Sequence, residues 1–216
     1  MDAQPAASQY PVRLSIDYPD RDLNRATTFF RIIVAIPIFI VLVAVSGWGW
    51  SAGWDRSKDY VVFAGAAGGL LIFAPLVMIL FRQKYPRWWF DWNLNLFRFQ
   101  NRVFAYLALM DDRYPSTDEE QGVHIEFDYP DAQRDLNRWL PLVKWLLAIP
   151  HFIVLVLLDI GTFFVVIFAW FAILFTGRYP RGLFDFVEGV FRWNARVESY
   201  ALLMVTDRYP PFSLQP

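Results

Sequence analysis

The sequence predicts an all-α membrane protein: four transmembrane helices as two tandem hairpins, with interfacial amphipathic helices and short cytoplasmic β-strands. Three observations predict it. Apolar residues make up 56% of the 216 and aromatic residues 19%, yet charged residues still reach 19%, so apolar stretches alternate with aqueous parts. Several stretches long enough to enter lipid carry no charged residue. A polar phrase, DYPD followed by LNR, is spelled twice, each time just ahead of such a stretch.

The phrase belongs to a longer repeat. Leu23–Asn24–Arg25 matches Leu136–Asn137–Arg138, and Ala35–Ile36–Pro37 matches Ala148–Ile149–Pro150. KYPRWWFDW (Lys84–Trp92) answers RYPRGLFDF (Arg178–Phe186). FRFQNRVFAY (Phe97–Tyr106) answers FRWNARVESY (Phe191–Tyr200), and DRYP closes both units at Asp112–Pro115 and Asp207–Pro210. Matches in one order over this length predict a tandem duplication. The organisation expected is a polar tail at 1–9, unit one at 10–115, an acidic linker at 116–122 and unit two at 123–216.

Each unit opens on alternation. Val12, Leu14 and Ile16, then Val123, Ile125 and Phe127, fall on one face of a period-two segment, which predicts a strand. The proline of DYPD stops it. Asp22 or Asn24, and Asp135 or Asn137, are placed to cap the helix that follows. In unit one, Ile32–Trp50 and Tyr60–Phe81 carry no charge and are predicted to cross the bilayer, joined by a short polar link. In unit two, Leu146–Leu158 and Thr162–Phe175 are separated only by Asp159–Ile160–Gly161, read as a tight turn between two helices. Pro37 and Pro150 are predicted to sit inside the first helix of each pair. Gly65 and Gly69 have GxxxG spacing, a candidate helix-packing face.

A long amphipathic helix follows each hairpin. Asp91, Arg98 and Arg102, spaced by 7 and 4 residues, fall within roughly 40° on a wheel of about 100° per residue. Asp185, Arg192 and Arg196 repeat the set. Either the charges form the solvated face of an interfacial helix, or the arginines grip lipid phosphate, or they meet a protein partner. The aspartates could pair with the arginines one or two turns along.

Other chemistries are poorly served. There is no cysteine, and the two histidines, His124 and His151, are not at metal-ligand spacing. No Walker, GxSxG, HExxH or GxGxxG pattern occurs. No cofactor, metal or enzymatic activity is expected, and a net charge of −1 predicts no nucleic-acid partner. The polar opening MDAQPAASQY gives no sign of a cleavable signal. Only Arg56 and Lys58 fall in a predicted far-side loop, which predicts cytoplasmic termini and a multi-pass protein of the plasma (inner) membrane.

The phrases FTGRYPRGLFDF and DRYPPFSL, with DYPD, LNR and AIPHFIVL, resemble a family of bacterial integral membrane proteins catalogued only as a domain of unknown function. The resemblance implies a small bacterial membrane protein and brings no catalytic residue. The role expected is a non-enzymatic accessory or scaffold subunit of a membrane complex or membrane surface, with lipids and a membrane-protein partner or a second copy as neighbours. The alternatives are a lipid-binding or lipid-transport protein using the four arginines, and a membrane-shaping hairpin protein.

Overall fold

The computed structural model describes residues 10–46, 50–55, 60–65 and 67–216, with side chains outside 46–73. The tail predicted for residues 1–9 lies outside the described residues. In chain order the elements are β1 (Val12–Ile16), α1 (Arg25–Phe29), α2 (Arg31–Ser46), β2 (Trp50–Asp55), β3 (Tyr60–Gly65), α3 (Ala67–Arg82), α4 (Arg87–Leu107), β4 (Val123–Phe127), α5 (Pro141–Leu147), α6 (Ile149–Thr176) and α7 (Arg181–Ala201).

The alternating segments are strands, and they pair with each other. β1 runs antiparallel to β4 with Leu14 opposite Ile125. Those two residues are 111 positions apart, the same separation as Asp17 and Asp128 of the two DYPD phrases. The central pair of the sheet thus joins residues that hold the same place relative to the two phrases. Val12, Leu14, Ile16, Val123, Ile125 and Phe127 are all buried, as period two requires, while His124 and Glu126 stay exposed. On the outer face His124 lies 3.0 Å from Asp17, and Arg13 reaches both Glu126 and Asp128.

The helix starts follow local chemistry. Asn24 Oδ1 accepts from the Ala26 and Thr27 amides, satisfying two of the free donors at the start of α1. Asn137 Oδ1 accepts from the Trp139 amide at the matching place.

The membrane segments differ from expectation. Asp159–Ile160–Gly161 is not a turn; it lies inside α6, one continuous helix of 28 residues. A single glycine costs a helix interior only about 1 kcal/mol, too little to end a run this apolar. Asp159 needs no turn to find a polar partner, since Asn194 Nδ2 on α7 donates to it at 3.0 Å. Pro150 stands in the first turn of α6, where its missing N–H breaks no helix bond, whereas Pro37 is inside α2 as expected. Tyr60–Phe81 is not a single helix either. Its β-branched and aromatic opening forms β3, paired antiparallel with β2, and α3 begins only at Ala67. Four transmembrane helices therefore give way to one candidate: among the described residues, α6 alone is long and apolar enough to cross a membrane.

Helices α4 and α7 each lie between two layers. Arg98 and Arg102 on α4, and Glu188, Arg192 and Arg196 on α7, are turned to the strands and the segments beside them. The apolar side of α4, at Phe99 and Val103, packs on Ile38 and Leu42 of α2. The apolar side of α7, at Trp193, Val197 and Tyr200, packs on Ala148 and on Leu155 of α6. The order is sheet, then α4 and α7, then α2 and α6.

Gly189 lets the C-terminal segment close on α7. A Cβ there would stand 2.9 Å from Leu214 Cβ and 3.1 Å from its backbone oxygen, so Gly189→Ala must push the segment outward. The expected loss is about 1–3 kcal/mol of unfolding free energy, read as a lower melting temperature in detergent.

Candidate functional site

The six charged residues that the wheel groups on α4 and α7 come in two kinds. Asp91 pairs with Arg87 at 3.5 Å and Asp185 with Arg181 at 3.2 Å, each one turn back rather than forward to the downstream arginines. These pairs are exposed. Arg87 and Arg181 also stack on tyrosines of the opposite half, Tyr129 and Tyr18, at 4.7 and 4.4 Å from the ring centroids.

The four downstream arginines grip backbone. Arg98 Nε donates to the Ile125 carbonyl at 3.0 Å, and Arg192 Nε donates to the Leu14 carbonyl at 3.1 Å. Leu14 and Ile125 are the central pair of the sheet, so each arginine holds the strand that begins the other half. Arg192 further reaches the Leu214 carbonyl and Glu188. Arg102 Nη1 donates to the Ser116 carbonyl, and Arg196 donates to the carbonyls of Ser213 and Gln215. Arg102 and Arg196 are buried, and burial pulls both guanidinium groups below their usual pKa, with Arg98 and Arg192 respectively adding to the effect. The Nε atoms of Arg102 and Arg196 have no hydrogen-bond partner among the described residues. Beside Arg192 and Arg196 opens a cleft of about 750 Å³, also lined by Arg13, His124 and Glu126. Arg13 is committed to Glu126 and Asp128 there, and His124 to Asp17.

Gly65 and Gly69 do not share a helix: Gly65 ends β3 and Gly69 lies in the first turn of α3.

Two buried cations escaped the sequence reading. Arg31 and Lys144 each stand six residues after the arginine of LNR, and that shared offset was the signal available. Lys144 is fully buried; its Nζ donates to the Thr206 carbonyl at 2.8 Å and forms an ion pair with Asp207 Oδ1 at 2.7 Å. Arg31 donates to the Asp111 carbonyl at 2.8 Å and lies 4.0 Å over the Tyr106 ring. Asp207 also accepts from the Asn137 amide, and Asp112 from the Asn24 amide and Arg21. So the closing DRYP aspartate of each half locks the LNR that opens its first helix.

Outside this polar framework lies an apolar surface. Ile32, Ile33, Phe39 and Ile40 on α2 are exposed, as are Trp145 and Leu146 on α5. On α6 the exposed stripe runs from Phe152 through Phe164 and Phe168 to Phe175, which is 78% accessible. His151 is turned the other way and fully buried, accepting from Trp193 Nε1 at Nδ1 and stacked 3.9 Å from the Phe212 ring. It belongs to the seam that closes the C-terminal segment over α6 and α7. Among the described residues no group of acidic, histidine or cysteine side chains is arranged to hold a metal.

The segment carrying α5, α6, α7, Lys144 and Asp207 is also the part of the chain that a family model matches. Residues 139–213 match a domain of unknown function, DUF4389. No curated protein and no solved structure matches the chain. The matched segment holds the whole apolar stripe of α6 together with the Arg192 and Arg196 clamps.

One titrating group sits on its inner seam. Burial, and then the Asp159 charge, push the Glu198 carboxyl up to about 7. A raised carboxyl favours the protonated form in the fold, so its stabilising effect is complete below the ordinary value of 4.5 and is lost as pH rises through about 7. Glu198 keeps some solvent access. The expected loss between pH 5 and pH 8 is therefore about 1–2 kcal/mol, less than the full shift implies. Glu198→Gln should flatten that part of the stability–pH curve measured by denaturant titration.

Proposed function

We propose that this chain is a non-enzymatic membrane accessory or scaffold subunit, built as two copies of one unit whose opening strands are exchanged. The observation that carries the reading is the exposed apolar surface of α2, α5 and α6 set against a rigid, charge-bearing sheet. A lipid-facing surface holds the body at the membrane, and the sheet then presents Arg13, His124 and Glu126 to a neighbour. We place that sheet on the cytoplasmic side of the plasma (inner) membrane of a bacterium.

The lipid-phosphate reading has a narrower basis, the two unpartnered Nε atoms of Arg102 and Arg196. Each of the four arginines already donates to at least one backbone carbonyl, which favours the scaffold. A photo-crosslinking side chain placed at Ser15 on the sheet's outer face tests it in intact membranes. The expected result is one discrete cross-linked species, identified by mass spectrometry as a specific membrane protein or a second copy. A chain that stays uncross-linked and purifies alone in mild detergent would overturn the scaffold role.

A further inference from the structure

We infer that α6 lies in the plane of the membrane, with its exposed stripe sunk into one leaflet, rather than crossing the bilayer. The occupant of the apolar face is thus phospholipid acyl chain from one side only. The inference rests on the membrane reading above and adds to it a direction.

The geometry of α7 decides between the two placements. Gly161, at the middle of α6, faces Phe186, and Asp159 meets Asn194, so the midpoints of α6 and α7 lie side by side. On the far side of α7, Glu188 Oε1 accepts from the Ile16 amide at 3.2 Å and Arg192 donates to the Leu14 carbonyl at 3.1 Å. Two residues of strand and four of helix both advance about 6 Å, so β1 runs alongside α7 at that same midpoint. The contacts to α6, at Trp193, Asn194 and Val197, fall roughly 100–200° round the helix from Arg192. Sheet, α7 and α6 are therefore stacked side by side, not end to end.

Stand α6 upright in a bilayer and the sheet comes to the midplane with it. Arg13, His124, Glu126, Asp17 and Asp128 would then face hydrocarbon from the sheet's outer surface, where charge is strongly disfavoured. Lay α6 flat and every one of them is lifted clear. With layers about 10 Å deep, the outer face of the sheet stands about 20 Å above the axis of α6. The length agrees: 28 residues make about 42 Å, well beyond the roughly 30 Å of a hydrocarbon core. The exposed stripe is one-sided as well, which suits a helix wetted by lipid on one flank. α2 packs on α4 as α6 packs on α7, so its exposed Ile32, Ile33, Phe39 and Ile40 enter the same leaflet.

The chain has no cysteine, so single thiols can be introduced at Ile153, Phe164 and Phe175, all on the stripe. Successive positions are eleven residues, about 16 Å, apart along the axis. Each variant is labelled with an environment-sensitive fluorophore, checked against the parent by circular dichroism, and reconstituted into phosphatidylethanolamine–phosphatidylglycerol vesicles. Depth is then read by quenching with lipids carrying nitroxides at shallow and deep positions. Three depths agreeing within about one helical turn, roughly 5 Å, bear the inference out. A profile with Phe164 much deeper than both flanking positions overturns it and leaves the membrane reading standing. Quenching of all three by aqueous iodide, with none by lipid nitroxides, overturns both.

Discussion

Asp207→Ala is expected to cost about 3–5 kcal/mol of unfolding free energy, enough to unfold a marginally stable chain at room temperature. The reason is what it leaves behind. Lys144 is fully buried, and its ammonium has the Asp207 carboxylate at 2.7 Å as its counter-charge. Removing the carboxylate strands that charge and also frees the Asn137 amide that Asp207 accepts from at 2.5 Å. Two checks separate this cause from simple loss of packing. Lys144→Met combined with Asp207→Asn removes both charges, keeps an acceptor for Asn137, and should restore most of the loss. Raising the pH should also help the single variant. Burial already lowers the Lys144 pKa despite Asp207, so without the aspartate the fold favours the neutral amine still more. Its deficit should therefore narrow as pH climbs from about 8 towards 10. A deficit under about 1 kcal/mol, or one that ignores pH, would mean that the pair does not hold this half together.

Arg192→Gln is expected to cost about 2–4 kcal/mol while leaving bound phospholipid unchanged. Arg192 is buried and spends three nitrogens on the Leu14 carbonyl, the Leu214 carbonyl and Glu188. Glutamine reaches at most one of these and leaves Glu188 without its cation. Arg98→Gln should cost only about 1 kcal/mol, since Arg98 is half-buried and its Nε bond to the Ile125 carbonyl is a single contact. The contrast matters for function. If the arginines instead serve lipid phosphate, Arg192→Gln melts near the parent temperature and loses co-purified anionic lipid. Thermal melts and lipid mass spectrometry on the same sample distinguish the two outcomes.

Much of the local structure was legible in the residues. Period two at Val12–Ile16 and Val123–Phe127 gives two strands, because a strand's alternate side chains must share one face. Asn24 caps a helix as its short acceptor allows, and the 100° wheel places Arg98 with Arg102 and Arg192 with Arg196 correctly. What a single wheel cannot supply is the identity of the neighbour. The arginine face meets carbonyls of the opposite half, of Ser116 and of the C-terminal segment, contacts made across 178 positions in the case of Arg192 and Leu14. The turn expected at Asp159 failed for a related reason. Hydropathy reads an Asp and a Gly between two apolar runs as a break, but it cannot see Asn194 of α7 answering the aspartate. Lys144 and Arg31 escaped because each stands just ahead of a long apolar run and resembles an ordinary flanking charge, while the aspartate or carbonyl that receives it lies at least 62 residues away.

In the proposed arrangement the molecule has two opposite faces, one for lipid and one for water, with all of its polar framework on a single side of the membrane. Impermeant maleimide labelling of single-thiol variants at Ser15, Thr117, Phe168 and Ser213 tests this most directly, in intact spheroplasts and in inverted membrane vesicles. Ser15, Thr117 and Ser213 are expected to react only in inverted vesicles and Phe168 in neither. Labelling of any of the first three from the outer side, or of Phe168 from either, would contradict it.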